Sequence, residues 1–311
     1  MPSSFVRTFA DPDELAESIR KGAFEIGVKQ PGNFEAKHTR VDLHRLSVQR
    51  FSGTLSTLAR AEMIEPRVAI VFLAAPGPGA VRDGVDVDTT KISGFRYDHG
   101  YFHQTFGPTT IANFSLSTND LGCLSETIVG RGPALTNWSL TPLPSAMARL
   151  RRLHEAACHL AEDAPAVLAH VEAARGLEQA TIEAMLDCLD GDVEEDNAAR
   201  RKHAAIMRRF HRVVEEHLET PLYVPELCRE IGTSVRTLNS CCEEHLGTGP
   251  KRYLLLRRMH LARRALRENA LTDTRVTEIA ARYGFWEFGR FAVEYKVLFG
   301  ESPSATLARS Y

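Results

Sequence analysis

Aspartate, histidine, tyrosine and phenylalanine crowd together at Asp98, His99, Tyr101, His103 and Phe106, the densest polar and aromatic cluster in the first half of the chain. Two histidines four residues apart share a zinc ion when they lie on one helical face, whereas on a strand they stand about 13 Å apart. The surrounding KISGFRYDHGYFHQT reads as strand or turn. No metal is therefore expected, and the cluster suits an exposed barrel rim better than a ligand pocket. Just upstream, APGPGAVRDG supplies Gly77 and Gly79, but Arg82 takes the third glycine position of a dinucleotide fingerprint. HExxH, GxSxG and the phosphate-loop pattern GxxxxGK are absent from the chain. The six cysteines, Cys123, Cys158, Cys188, Cys228, Cys241 and Cys242, include no CxxC pair. That argues against a disulfide framework and a zinc site, and reduced, half-buried thiols are expected. No catalytic residue or cofactor is called for, and an enzyme is not expected.

A repeat in the second half carries more. Glu226-Leu-Cys-Arg-Glu-Ile-Gly232 and Glu278-Ile-Ala-Ala-Arg-Tyr-Gly284 superpose with an offset of 52, and Gly247-Thr-Gly-Pro250 and Gly300-Glu-Ser-Pro303 with an offset of 53. Each copy reads as a short helix ending in a glycine, which tolerates the left-handed backbone of a sharp turn, followed by a second helix that stops before another glycine and a proline. That is a helix-turn-helix. Phe285 is expected to plug the gap between the two helices of its unit, with Leu238 and Phe291 as inward contacts on the second helices. Trp286, Glu287 and Gly289 fall at or just inside the start of a second helix, the end that a DNA-binding unit presents to bases. There Gly289 would permit close approach to a groove wall, and Arg290 would reach a guanine edge or a phosphate.

The elements that position these residues follow from hydrophobic periodicity. KRYLLLRRMHLARRALRE (251–268) is an unbroken helical pattern with Leu254, Met259, Ala262 and Leu266 inward and seven Arg or Lys residues elsewhere. Such a rod can hold two recognition helices one DNA turn, about 34 Å, apart. Its basic residues are expected on phosphates or in solvent. Upstream, RVDLHRLSV (40–48), RVAIVFLAA (67–75), KISGFRYDHG (91–100) and TTIANFSLS (109–117) read as strands between Glu35 and Leu121, suggesting a sandwich or small barrel. From Ser145, a candidate N-cap, the pattern turns helical: Leu150, Leu153, Ala157 and Leu160 share one face, and after a break at Gly176 so do Ile182, Met185, Leu186 and Leu189. These faces could pack on the barrel or on a second subunit.

Length and charge fit this division. At 311 residues the chain suits about two domains. The longest apolar run, Val68 to Ala75, is too short to cross a bilayer and the N-terminus lacks a signal core, so a cytoplasmic location is expected. There the Asn113 and Asn137 glycosylation triplets carry no meaning. The formal net charge of −2 conceals a polarity: from Arg201 to Tyr311 there are 19 Lys+Arg and 13 Asp+Glu, and before it 19 and 27. Either the second half is built to meet something anionic, or the charges segregate by chance on two solvated surfaces.

Residues 205–311 resemble the DNA-binding domain of the AraC/XylS family of bacterial transcription regulators. The match runs through Leu227, Ile231-Gly232, Ser234, Leu238, Gly247, Pro250, Tyr253, Arg258, Ala262 and Leu266, then Val276, Ile279-Ala280, Gly284-Phe285, Phe291, Tyr295-Lys296, Phe299-Gly300 and Pro303. By position, the resemblance implies base-facing residues at Arg236, Thr237, Asn239 and Ser240 in the first unit and at Phe288, Gly289, Arg290 and Val293 in the second, with Lys296 as a further DNA-binding position. Cys242 stands where the family usually has an aromatic, and Ser240 and Val293 where it often has arginine, so specificity would lean on Arg236, Arg290 and DNA shape.

The resemblance also implies an α+β multidomain fold: a β-rich, cupin-like sensing or dimerisation domain over 1–143, a helical connector and possible dimer interface over 144–190, a linker over 191–204, and an all-α double helix-turn-helix domain over 205–311. The implied function is sequence-specific transcription regulation, as an activator, controlled by a small-molecule effector. The partners are double-stranded promoter DNA, a second copy in a homodimer, and RNA polymerase. Two alternatives stand beside it, a constitutive dimeric DNA binder without ligand and a cupin-like enzyme fused to a helical interaction domain.

Overall fold

The computed structural model describes residues 2–19, 22–63, 67–97, 100–117, 137–193, 198–217, 220–269 and 275–308. Its first part is β-rich: β1 (Ser3–Phe9), α1 (Pro12–Ser18), β2 (Gly22–Val28), β3 (Ala36–Asp42), β4 (Leu46–Gly53), β5 (Thr57–Met63), β6 (Arg67–Leu73), β7 (Ala80–Arg82), β8 (Val85–Val87), β9 (Ile92–Tyr97), β10 (Tyr101–Thr105), β11 (Thr109–Ser117) and β12 (Asn137–Thr141). Three helices follow, α2 (Pro144–Asp163), α3 (Pro165–Ala169) and α4 (Val171–Cys188), then a short β13 (Asp192–Val193). The remainder is helical: α5 (Ala198–Glu216), α6 (Val224–Ile231), α7 (Val235–Leu246), α8 (Pro250–Glu268), α9 (Val276–Arg282), α10 (Phe288–Phe299) and α11 (Pro303–Ala308).

The strands form two antiparallel sheets, β1-β3-β4-β11-β6-β9-β12-β13 and β2-β5-β10-β7-β8. The order of each is open, ending on edge strands, so the described residues form a β-rich domain of two stacked sheets that do not close on themselves. Strand β6 explains the apolar run at 68–75. Val68, Ile70 and Phe72 face the α2–α4 helices, while Ala69, Val71 and Leu73 face the second sheet. A strand covered on both sides reads as continuous rather than alternating apolar sequence.

Several boundaries differ from the sequence reading. Strands begin at Ser3, well before Glu35. The single strand expected over 40–48 is a hairpin, because the Leu43 amide donates to the Leu46 carbonyl at 2.9 Å. The Glu178 carboxylate holds that turn from α4, accepting from the amides of Arg45 (2.9 Å) and Leu46 (3.3 Å). Helix α2 starts at Pro144 behind Leu143, with no side-chain cap from Ser145, since a proline at the first helical position needs no partner for its missing N–H. Helix α4 runs through Gly176 without a break. A helical glycine costs about 1 kcal/mol relative to alanine, less than the apolar face around it supplies.

Both predicted helical faces pack on the first sheet: Leu150, Ala157, Ile182, Met185 and Leu189 join Val48, Ile70, Phe72 and Phe114 in one core. Those faces are occupied within the chain and give no argument for a dimer. The beginning of the expected linker is likewise tied down, with Asp192 and Val193 paired to Thr141 and Leu140. The five described cysteines are buried rather than half-buried. Burial pushes the Cys158 and Cys241 thiols up to about 11 and Cys188 to about 12, which removes them as nucleophiles. Cys123 lies outside the described residues. No described helix is long and apolar enough to cross a membrane.

Two core histidines make the fold acid-sensitive. His38 stacks on Phe51 at 4.2 Å between ring centroids and shares a hydrogen bond with Gln49. His154 bonds the Gln49 carbonyl at 3.0 Å. Burial holds each at about 4. The unfolded chain protonates both near pH 6.5, so stability is complete at pH 7 and declines as pH falls toward 4, by up to about 3 kcal/mol for each histidine. A lower urea midpoint at pH 5 than at pH 7 is expected, and His38→Gln should reduce the difference.

Candidate nucleic-acid interface

The first helix-turn-helix is α6 and α7. Gly232 ends α6 at φ 71°, ψ 48°, and its amide and that of Thr233 both reach the Cys228 carbonyl at 3.0 Å. Added side-chain atoms at Gly232 would meet nothing within 4 Å, so the left-handed backbone alone calls for glycine there. Ser234 caps α7, its Oγ accepting from the Thr237 amide at 3.1 Å. Leu227, Ile231, Leu238, Cys241, Cys242 and Leu246 form the core. Cys242 fills its buried position with less volume than an aromatic would.

The second unit is α9 and α10. Gly284 reverses the chain at φ 76°, and a Cβ there would also lie 2.5 Å from Pro221. Phe285 plugs the unit as expected, its ring 4.7 Å from that of Phe291 and beneath the Arg258 guanidinium at 5.2 Å. The Tyr295 ring lies tilted beside Phe291 at 5.6 Å and its hydroxyl meets Thr306 at 2.8 Å, fastening α11 to the unit. Leu238 and Phe291 both point inward, at 0 % and 2 % exposure.

With one face of each second helix buried, the opposite face is fixed in solvent. On α7, Arg236, Asn239 and Ser240 are exposed and Thr237 is half-buried. Arg236 makes no ion pair among the described residues. Two of its neighbours are already engaged: Thr237 Oγ1 lies 2.8 Å from Ser234 Oγ, and Asn239 Nδ2 donates to the Val235 carbonyl at 2.9 Å. On α10, Phe288, Gly289, Arg290, Val293 and Lys296 are all exposed. Arg290 pairs with Glu294 at 2.8 Å and Glu287 at 3.5 Å. Such exposed pairs are worth little and can yield to a phosphate or base. Gly289 would meet nothing within 4 Å if it carried a Cβ, so packing gives no reason for its lack of side chain. Trp286, 80 % exposed, extends this face.

The linking helix departs from expectation. Leu254, Met259, Ala262 and Leu266 are buried as read, and Arg252 is in solvent as expected, but Arg257, Arg263, Arg264 and Arg267 face the β-domain. Arg263 reaches Asp11 at 2.5 Å and Asp13 at 3.3 Å, Arg264 reaches Asp13 at 3.2 Å, and Arg267 reaches Asp11 at 2.7 Å. Arg257 approaches Glu25 at 3.6 Å, beside Arg60, which also pairs with Glu215 of α5. Burial works against a charged Asp11, yet Arg263 and Arg267 hold its carboxyl below the usual range. Part of the opposite charge of the two halves is thus spent between them. Phe102 and Leu58 enter the core of the first unit, and Val28 that of the second. His211 packs edge-on against Phe102 at 5.1 Å, and His260 Nε2 meets the Val28 carbonyl at 3.2 Å.

The acids of this interface were missed in sequence, although DPDEL carries a helix-start signal: Asp11 caps α1, accepting from the Asp13 amide at 2.8 Å, with Pro12 at its first position. Of the early polar cluster, Asp98 and His99 lie outside the described residues. Tyr101 and His103 are buried at 9 % and 8 % exposure rather than set on a rim, while Phe106 is 45 % exposed.

Comparison with known proteins gives the same C-terminal domain. The family described as "Helix-turn-helix domain" matches residues 227–309. The Probable thc operon regulatory protein of Rhodococcus erythropolis is 46% identical over 94 residues, 30% of this chain and 28% of that protein. The XylDLEGF operon transcriptional activator of Pseudomonas putida is 40% identical over 101 residues, 32% of each chain. The chain thus spans about a third of the length of these curated relatives. The crystal structure of the AraC-like transcriptional activator CuxR aligns with 90% of this chain and 100% of its own at 14% identity and a TM-score of 0.48, too slight a likeness to decide the first domain. The doubled unit, its two left-handed turn glycines and these relatives agree: residues 227–309 form a helix-turn-helix domain similar to that of AraC/XylS-type regulators.

Proposed function

We propose that the chain is a DNA-binding transcription regulator that grips promoter duplex with both helix-turn-helix units and answers to a small-molecule effector in its β-domain. The observation that carries this reading is the pair of second helices, each buried on one face and offering the other to solvent: Arg236, Thr237, Asn239 and Ser240 on α7, and Phe288, Gly289, Arg290, Val293 and Lys296 on α10. Helices of this kind enter the major groove, where arginine pairs with guanine and apolar side chains meet thymine methyl groups. The names of the relatives, an operon regulatory protein and an operon activator, support regulation and activation. A cytoplasmic location follows from work on DNA. A homodimer and contact with RNA polymerase are carried by the family likeness, and sedimentation as a monomer at all concentrations would remove the dimer.

An effector acts by preferring one arrangement of the two domains over another. The clamp between α1 and α8 is the element that such a preference would shift. Selection of bound genomic fragments by the full-length protein at several salt concentrations tests the reading. One motif with two half-sites about a turn apart is expected, with Arg236→Ala and Arg290→Ala each relaxing a different half at a cost of about 1–3 kcal/mol. Neither should change the melting temperature appreciably, because both side chains are exposed. Absence of binding, or equal binding to all sequences, would refute the reading and return attention to an interaction module.

A further inference from the structure

The two second helices repeat each other in fold but not in chemistry. On α7 the outer face is polar, with Arg236, Asn239 and Ser240 exposed and Thr237 half-buried beside them. On α10 it is largely apolar. Trp286, just before the helix, is 80 % exposed, Phe288 is exposed as well, and Val293 and Val297 are 64 % and 61 % exposed. Phe291, Tyr295 and Leu298 carry the opposite side into the core, so the helix cannot rotate these four side chains out of water. Large apolar groups gathered on one exposed face mark a surface that is covered in use.

Its neighbours say what covers it. Arg290 and Lys296 are exposed on the same helix, and this is the face that the second helix of a helix-turn-helix turns to the major groove. Cations at the margin suit phosphates, and an apolar centre suits the apolar group that the groove displays, the thymine methyl. Positions 289, 293 and 297 are four residues apart, so they fall in one stripe with about 6 Å between successive members. A base-pair step rises about 3.4 Å, so Val293 and Val297 meet different base pairs. Gly289, the first of the stripe, would meet nothing within 4 Å if it carried a Cβ, and its bare backbone lets the start of α10 sit deep enough for both valines to touch. Valine at 293, where the resemblance implies arginine, exchanges a charged donor for a methyl contact.

We propose that α10 recognises its half-site chiefly by thymine methyl groups, through Val293 and Val297 with Phe288 and Trp286 beside them, while α7 reads by hydrogen bonds from Arg236. The two half-sites are then different sequences, the α10 half rich in thymine, although the units that read them are copies. This rests on the DNA-binding reading above and adds which atoms of the bases are read.

Uracil differs from thymine only by lacking the methyl group, so the test replaces thymine by uracil, one position at a time, in the duplex that the full-length protein selects. In the half-site relaxed by Arg290→Ala, replacements at two or more positions should each lower affinity about fourfold, the worth of one buried methyl group at about 1.4 kcal/mol per tenfold. Replacements in the other half should leave affinity unchanged. Val293→Ala and Val297→Ala should each remove the effect at one position and keep it elsewhere, with the melting temperature unmoved because both side chains are exposed. Selective binding without a uracil effect in the α10 half overturns methyl reading and leaves the regulator standing. No selective binding to any duplex overturns both. A uracil effect that survives both valine changes takes the contact away from these residues. Should the valine variants instead convert a dimer to a monomer in sedimentation and leave the uracil effect intact, the face is a contact between copies and the proposal falls.

Discussion

Phe291→Ala is expected to destabilise the second helix-turn-helix by about 3–5 kcal/mol, the range for emptying a buried phenylalanine site. Phe291 is 2 % exposed, lies between the rings of Phe285 and Tyr295, and is the residue through which α10 grips the rest of its unit. The surroundings cannot collapse easily into the void, because Gly284 is pressed against Pro221 and Tyr295 is fastened to Thr306. Without that grip α10 no longer presents Gly289, Arg290 and Val293 as a set, so recognition of one half-site should disappear while the other persists. Chemical denaturation of the full chain, with Trp286→Ala as the control, checks it. Trp286 is 80 % exposed, and its removal should cost less than about 0.5 kcal/mol. A loss below about 1 kcal/mol for Phe291→Ala would show that the unit is held by something other than this aromatic stack.

The double change Asp11→Asn, Asp13→Asn should weaken the docking of the two domains by about 3–5 kcal/mol, since it leaves Arg263 and its neighbours partly buried without their counter-charges. The Asp11 and Asp13 side chains are 11 % and 8 % exposed against 10 % for Arg263, so solvent screening relieves little of that cost. Asparagine preserves the N-cap of α1, which separates loss of charge from loss of the helix. The expected readout is a thermal or urea transition that splits in two, the β-domain and the helical domain unfolding apart. The freed arginines of α8 should also strengthen binding to any duplex at low salt and steepen its salt dependence. One unchanged cooperative transition, with a midpoint shift worth under about 0.5 kcal/mol, would mean that the ion pairs do not hold the domains together.

The double helix-turn-helix was legible in sequence because its demands are local and repeated: a glycine where the backbone turns left-handed, an apolar residue where the second helix turns inward, twice at nearly one spacing. The inward set Leu254, Met259, Ala262 and Leu266 was legible for the same reason. The interface between the domains was not. Asp13 and Arg263 meet across 250 residues, and no periodicity connects such a pair, so the α8 arginines read as free for phosphate. The turn at 43–45 was hidden because its anchor, Glu178, comes from another helix. Arg82 and His103 were read along the chain, one as a failed glycine motif and the other as a rim residue. Only the pairing of β7 with β10 puts them side by side.

Helix α1 has seven residues, about 10 Å of rigid rod. Leu15 and the capping Asp11 stand one turn apart, the first touching a cavity between the sheets and the second an arginine of the linking helix. So short a lever leaves little slack, and a displacement at one end arrives at the other nearly undiminished. Linkage makes such a lever work in both directions. On the proposed function, whatever factor a bound effector imposes on the grip for DNA, DNA must impose on the hold for that effector, so a DNA-bound copy would keep or shed it differently from a copy free in solution.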